Sequence, residues 1–206
     1  MRTWLLALLV VALVLAGCAG QAGPANGGIN ATNITSAGAP AANASPSPAS
    51  PPADPVVVFE TTKGTFTAKI YANEAPITGG NFMKLVRAHF YDNLTFHRVV
   101  PGFVAQGGDP NGDGSGGSNQ TIPLEIVPGL KHTYGALAMA RTSDPNSASS
   151  QFYICLNAAA CAQLDGSYAV FGQVQGSGMS VVNQLNPGEP PAVPDRMIRV
   201  YEQPSQ

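Results

Sequence analysis

From Ala19 to Ala53 the chain runs thirty-five residues without a charge or an aromatic side chain. The stretch is almost entirely Ala, Gly, Pro, Ser, Asn and Thr. Such a composition cannot bury enough apolar surface to offset the entropy of ordering it. It is expected to be a flexible tether, so a compact fold has to be built from the residues C-terminal to it. Cys18 and Asp54 are 36 residues apart, which gives a coil a root-mean-square reach of about 30–36 Å.

The segment before the tether has a different logic. Met1-Arg2-Thr3 is a short positive start, and Trp4 to Ala16 is a run of thirteen uncharged, apolar residues ending in Leu15-Ala16-Gly17-Cys18. A positive start, an apolar run and small residues at its end describe an export signal. The run falls short of the roughly 20 apolar residues a stable span wants. The Leu-Ala-Gly-Cys ending resembles the lipobox of exported lipoproteins, in which the Cys becomes the new N-terminus and carries lipid. The resemblance implies a signal peptide over residues 1–17, lipid on Cys18, a tether over 18–54 and a location on the outer face of the cytoplasmic membrane.

Residues 55–206 have the size of one domain. Apart from Arg2, all charges lie from Asp54 onward: nine Lys and Arg (ten less Arg2) against twelve Asp and Glu, a net of −3 with no basic run. That balance argues against nucleic acid as a partner. With Cys18 assigned to lipid, Cys155 and Cys161 are left. An exported domain sits where disulfides persist, and this pair is spaced to close a small loop, yet Cys155 lies in an apolar run that reads equally well as core. Two Cys and three scattered His do not make a zinc site. Asn30, Asn33, Asn43, Asn93 and Asn119 each open an Asn-x-Ser/Thr triplet, an acceptor pattern for glycans on an exported chain.

Along the domain, Val56–Thr61 is short and β-branched, and Thr65–Ile70 alternates and returns across Lys63-Gly64 as a hairpin partner. After Pro76, Phe82, Leu85, Val86 and Phe90 make one helical stripe that runs to Asn93. Further short strands are expected over 95–100, 103–106, 136–139, 152–156 and 169–174, a second short helix over 179–185, and a closing strand over 197–201. Many short strands with few helices indicate a small barrel or sandwich with helical caps, and too few helices separate the strands for a parallel βαβ fold.

Two motifs match by letter only. Asp109-Pro-Asn-Gly-Asp113-Gly114 copies the first half of a calcium loop, but its twelfth position is Gln120, where a bidentate Glu is required. Gly112-Asp-Gly114-Ser-Gly-Gly117 copies a dinucleotide fingerprint, but Ser118-Asn-Gln-Thr-Ile-Pro123 does not open the helix that would hold phosphate. Both read as one Gly-rich surface loop.

Three other blocks are more distinctive. They are Phe96-His-Arg-Val-Val-Pro-Gly-Phe-Val-Ala-Gln-Gly-Gly-Asp109, then Gly135-Ala-Leu-Ala-Met-Ala-Arg141 with Ser149-Ser-Gln-Phe-Tyr-Ile-Cys155, then Leu164-Asp-Gly-Ser-Tyr-Ala-Val-Phe-Gly-Gln-Val174. In this order and spacing they resemble the cyclophilins over roughly Val56 to Tyr201, with Ala140 to Ser147 most similar to the compact prokaryotic members. The resemblance implies a mainly β fold, a closed eight-stranded antiparallel barrel capped by two α-helices, and peptidyl-prolyl cis/trans isomerase activity on proline-containing polypeptides. It implies Arg98, Phe103 and Gln106 as catalytic residues. Val104, Ala140, Arg141, Gln151, Tyr153, Leu164 and Tyr168 would bind substrate. No cofactor and no metal is implied, and a monomer is expected. The alternative is a low-turnover module that holds proline-rich segments at the cell surface. Gln163 stands where the family often has Trp, Tyr168 where eukaryotic members have His, and Tyr153 in place of a pocket Phe; Leu156 to Gln163 is longer than usual.

Overall fold

The computed structural model describes residues 53–204. The signal and lipid-attachment readings, and nearly all of the tether, lie outside those residues. Eight strands form one antiparallel sheet: β1 (Val56–Thr61), β2 (Gly64–Ile70), β3 (Arg98–Val100), β4 (Val104–Gly107), β5 (Ala136–Met139), β6 (Phe152–Cys155), β7 (Val170–Val174) and β8 (Met197–Glu202). Their order across the sheet is β3-β4-β6-β5-β7-β2-β1-β8. The hairpin expected across Lys63-Gly64 is present, with Val58 opposite Thr67.

The sheet curls, and its two ends approach without forming a ladder. Thr95 bridges Arg196, and Val99 bridges Gly188, while the Met197 N–H donates to the Leu94 carbonyl at 2.8 Å. β3 and β8 are thus not paired with each other, and only isolated bridges of flanking residues lie between these ends, where the sequence led us to expect a closed barrel.

The helical caps are also smaller than expected. Helix α1 (Pro76–Arg87) is the one long helix among the described residues, and α2 (Ala158–Cys161) and α3 (Met179–Val182) are single turns. α1 stops at Arg87, where the apolar stripe suggested Asn93. Ala88 caps it and His89 takes φ 56°, so Phe90 packs against the core from a turn. The buried face of α1 is Thr78, Gly79, Phe82, Met83 and Val86.

Strands β5 and β6 are buried along their whole length because the sheet is covered on both faces there. Period-two alternation sends Leu137, Met139, Phe152 and Ile154 into the main core. There the rings of Phe59 and Phe66 stack at 4.6 Å, and Phe82 meets Phe152 edge-on at 5.5 Å. The alternate residues, Val104, Ala136, Ala138, Tyr153, Cys155 and Val170, turn to the other face and form a smaller cluster with Phe103 and Leu164. That second face carries the site.

Candidate active site

Register assembles the site. Arg98 on β3 lies opposite Gln106 on β4, Gln106 lies opposite Tyr153 on β6, and Tyr153 lies opposite Ala138 on β5. Cross-strand partners project to the same face, so a guanidinium, an amide and an aromatic ring stand in one row. Val104, two residues before Gln106, shares that face and is 2% exposed.

A cleft of about 140 Å³ opens on this row. Phe103, Val104, Tyr153, Leu164 and Tyr168 supply its apolar walls, and Arg98, Gln106, Ala140 and Arg141 its rim. Gln151 lines an adjoining hollow of about 290 Å³ with the Gly114–Gly117 loop. Every residue that the resemblance implied for catalysis or substrate binding is therefore gathered in these two neighbouring depressions.

The polar groups are individually held. Arg98 Nε donates to Glu189 Oε2 at 2.8 Å, and the guanidinium sits 5.9 Å from the centroid of the Phe103 ring. Gln106 Nε2 donates to Gln151 Oε1 at 2.8 Å, while Gln151 Nε2 donates to the carbonyls of Gly114 and Gly116. Arg141 lies 4.7 Å over the Tyr168 ring and donates to the carbonyls of Ser167, Thr142 and Ser143. It pins two loops together at the rim of the cleft. Tyr168 meets Tyr153 edge-on at 6.0 Å.

The Gly-rich loop explains both false motifs. Asp109 is 1% exposed, and its carboxylate accepts the backbone N–H groups of Asn111, Asp113 and Gly114. Its oxygens thus serve as the loop's internal acceptors. Gly108, at φ 83°, passes so close to β6 that a Cβ there would lie 2.5 Å from the Ser150 carbonyl oxygen.

Several groups at the site were not singled out from the sequence. His97, 4% exposed beside Arg98, has neither ring nitrogen hydrogen-bonded among the described residues, and burial lowers its pKa, with Asp109 opposing. It sits inside the Phe96–Asp109 block and was legible there. His132 and Asp165 lie behind Tyr153: His132 Nε2 is 2.8 Å from Tyr153 Oη, and Nδ1 is 2.7 Å from Asp165 Oδ1. Glu189 comes from a Pro-rich loop with no local signal. Cys155 and Cys161 are joined in a disulfide that ties the end of β6 to α2, which settles the choice between a bridged pair and plain core.

A family model for cyclophilin-type peptidyl-prolyl cis-trans isomerases matches residues 56–202. The chain belongs to that family. It is 46% identical over 133 residues to a peptidyl-prolyl cis-trans isomerase-like 1 of Aspergillus fumigatus, covering 63% of this chain and 80% of that protein. It is 44% identical over 133 residues to a peptidyl-prolyl cis-trans isomerase of Synechococcus elongatus, covering 64% and 89%. The cyclophilin-type isomerase of Cryptosporidium parvum, crystallised in the presence of the dipeptide Ala-Pro, superposes with a TM-score of 0.67 at 28% identity, covering 73% of this chain and 99% of that one. Fungal and cyanobacterial cyclophilins match at similar identity, so identity does not single out the prokaryotic members. This cyclophilin carries isomerase activity in a domain whose cleft joins an apolar pocket to a polar rim.

Proposed function

We propose that this cyclophilin isomerises prolyl peptide bonds of exported polypeptides at the outer face of the membrane, with Arg98 as the group that lowers the barrier. The observation that carries the reading is the Arg98 guanidinium fixed at the rim of a small apolar cleft. A proline ring, as in the Ala-Pro of the Cryptosporidium structure, suits walls made by Phe103, Val104, Tyr153 and Leu164.

Rotation about the bond before proline faces a barrier of about 18–20 kcal/mol because nitrogen shares its lone pair with the carbonyl. In the twisted state that lone pair is localised on nitrogen and accepts a hydrogen bond. An N–H of Arg98 aimed at it stabilises the twisted state alone. Arginine suits the role, since it is always charged and its fork is planar. Nε is engaged by Glu189, so the two terminal nitrogens are the donors left to face the cleft. Gln106, aligned by Gln151, holds the substrate carbonyl, and Ala140 and Gln151 offer backbone and amide contacts beside it. Turnover near 10³ per second needs roughly 10⁵-fold acceleration, about 7 kcal/mol. One preorganised donor supplies about 3–4 of these, and a tighter hold on the twisted form by the polar rim, Gln106 first, supplies the rest.

Export and anchoring rest on the Met1–Cys18 pattern. In this reading residues 1–17 are removed, Cys18 carries lipid, 18–54 tether the domain and 55–206 catalyse. The Cys155–Cys161 disulfide supports it, because disulfides persist in oxidising compartments. The test is a prolyl-peptide isomerisation assay on the full chain and on Arg98→Ala. The expected loss is about 10²–10³-fold in kcat/KM, with peptide affinity much less changed. A loss of affinity by the same factor would make Arg98 a general binding residue and overturn the mechanism.

A further inference from the structure

Behind the cleft lies a chain of polar groups that the isomerisation step does not use. The His132 side chain is wholly buried. Its backbone N–H donates to Asp165 Oδ1 at 2.9 Å, and its Nδ1 reaches the same oxygen at 2.7 Å. Nε2 lies 2.8 Å from Tyr153 Oη. The donors and acceptors can be assigned. Hydrogen bonds from His132, the backbone N–H first and the ring second, hold the Asp165 carboxyl below the usual aspartate range, so it stays an acceptor. Nδ1 therefore carries a ring proton, and in the neutral imidazole Nε2 is then the acceptor. Burial pushes the Tyr153 phenol up, so its hydroxyl keeps its proton and donates to His132.

This chain joins two separate walls of the cleft. Tyr153 belongs to β6. Asp165 directly follows Leu164, the second wall, which ends the 3-10 turn after α2. The disulfide links the same two segments, since Cys155 lies two residues after Tyr153 and Cys161 three before Leu164. One covalent and one polar brace thus span the same gap. We propose that His132 and Asp165 are positioning residues of the cleft, holding the Tyr153 and Leu164 walls in place through the chain Tyr153–His132–Asp165. The proposal rests on the reading of this cleft as the prolyl pocket. Apolar walls embrace the ring in planar and twisted forms alike, so a slackened brace weakens binding and leaves the chemical step largely intact.

The test measures Kd for an Ala-Pro peptide by calorimetry, and kcat and KM by isomerisation, on the full chain. His132→Phe and Asp165→Ala should each raise Kd and KM about 10-fold, with kcat within about twofold. Asp165→Asn keeps an oxygen for both His132 donors and loses only the charge facing Lys131 Nζ at 3.7 Å. It should stay within about twofold of wild type in Kd and KM. Because His132 acts through the Tyr153 hydroxyl, His132→Phe should add little to Kd once Tyr153→Phe is present. Folded His132→Phe and Asp165→Ala variants, judged by near-ultraviolet circular dichroism, whose Kd does not move would overturn the proposal. So would an equal His132→Phe effect with and without the Tyr153 hydroxyl. If His132→Phe and Asp165→Ala do not fold, Tyr153→Phe alone must raise Kd, and an unchanged value sinks the idea. A wild type that binds the peptide without turning it over defeats the isomerase reading while the Kd comparison still decides on the brace. Normal turnover with unmoved Kd in the variants does the reverse.

Discussion

Arg98 lines the cleft and pairs with Glu189 through Nε, so in the proposed mechanism the terminal nitrogens are left to serve the substrate. That division needs a planar fork, which lysine lacks. Arg98→Lys is expected to lose about 10²-fold in kcat/KM, read in the same assay as Arg98→Ala, and to bind peptide nearly as well as wild type. Asp165 makes a different prediction. Its pKa is lowered in the folded state, so the folded chain takes up that proton less readily than the unfolded one. The carboxylate contributes stability above the ordinary aspartate range, about pH 4, and that contribution is lost as pH falls through the lowered value. Denaturant unfolding of wild type and Asp165→Asn should therefore differ near neutral pH and converge in acid. A difference that grows on acidification would show that the charge is not what stabilises.

At the scale of elements, what was legible in the sequence was local and what was missed was not. Alternation located β2, and short β-branched or apolar runs located β1, β5 and β7, each to within a residue, because each strand's pattern is written in its own side chains. The row Arg98, Gln106, Tyr153 depends on register between three strands, which no single strand encodes; it was reached through resemblance, with the residues known before their geometry. Helix α1 is the sharper case. Its N-cap position is Ala75, which offers no side-chain acceptor. The orphan N–H groups of Ile77 and Thr78 are taken by Glu125, 3.2 and 2.7 Å away, from a loop 47 residues downstream of Thr78. A cap supplied from that distance leaves no trace near the helix. Glu125→Ala should cost about 1 kcal/mol by denaturant unfolding, although Glu125 belongs to no strand or helix. The disulfide is a second such element-level tie. Closing so short a loop contributes about 2 kcal/mol in the chain-entropy account, so Cys161→Ala should lower the thermal midpoint by about 4–8 °C. An unchanged midpoint would mean that the packing of Cys155 and Cys161 alone holds the segment.

At the scale of the whole molecule, the question is whether an anchored domain can still present its cleft. Asp54 is fixed to the domain: its carboxylate accepts from the Asn73 backbone N–H and side-chain amide and pairs with Lys69 at 3.1 Å. The chain thus enters beside β1 and β2. The cleft is built on β3, β4, β6 and β5, and β7 intervenes in the sheet order between β5 and β2. Asp54 and the row Arg98, Gln106, Tyr153 therefore sit on different stretches of the sheet. If Cys18 carries the lipid, Cys18→Ser should move the protein from the membrane fraction to the soluble one, followed by fractionation and by mass spectrometry of the N-terminus. Its kcat/KM on a short prolyl peptide should remain within about twofold of the anchored form, because the residues that line and brace the cleft all lie from Arg98 onward. A variant that stays with the membrane would place the anchor elsewhere. A variant that is released but loses activity would mean that the membrane, or the lipid itself, completes a site that the fold alone does not.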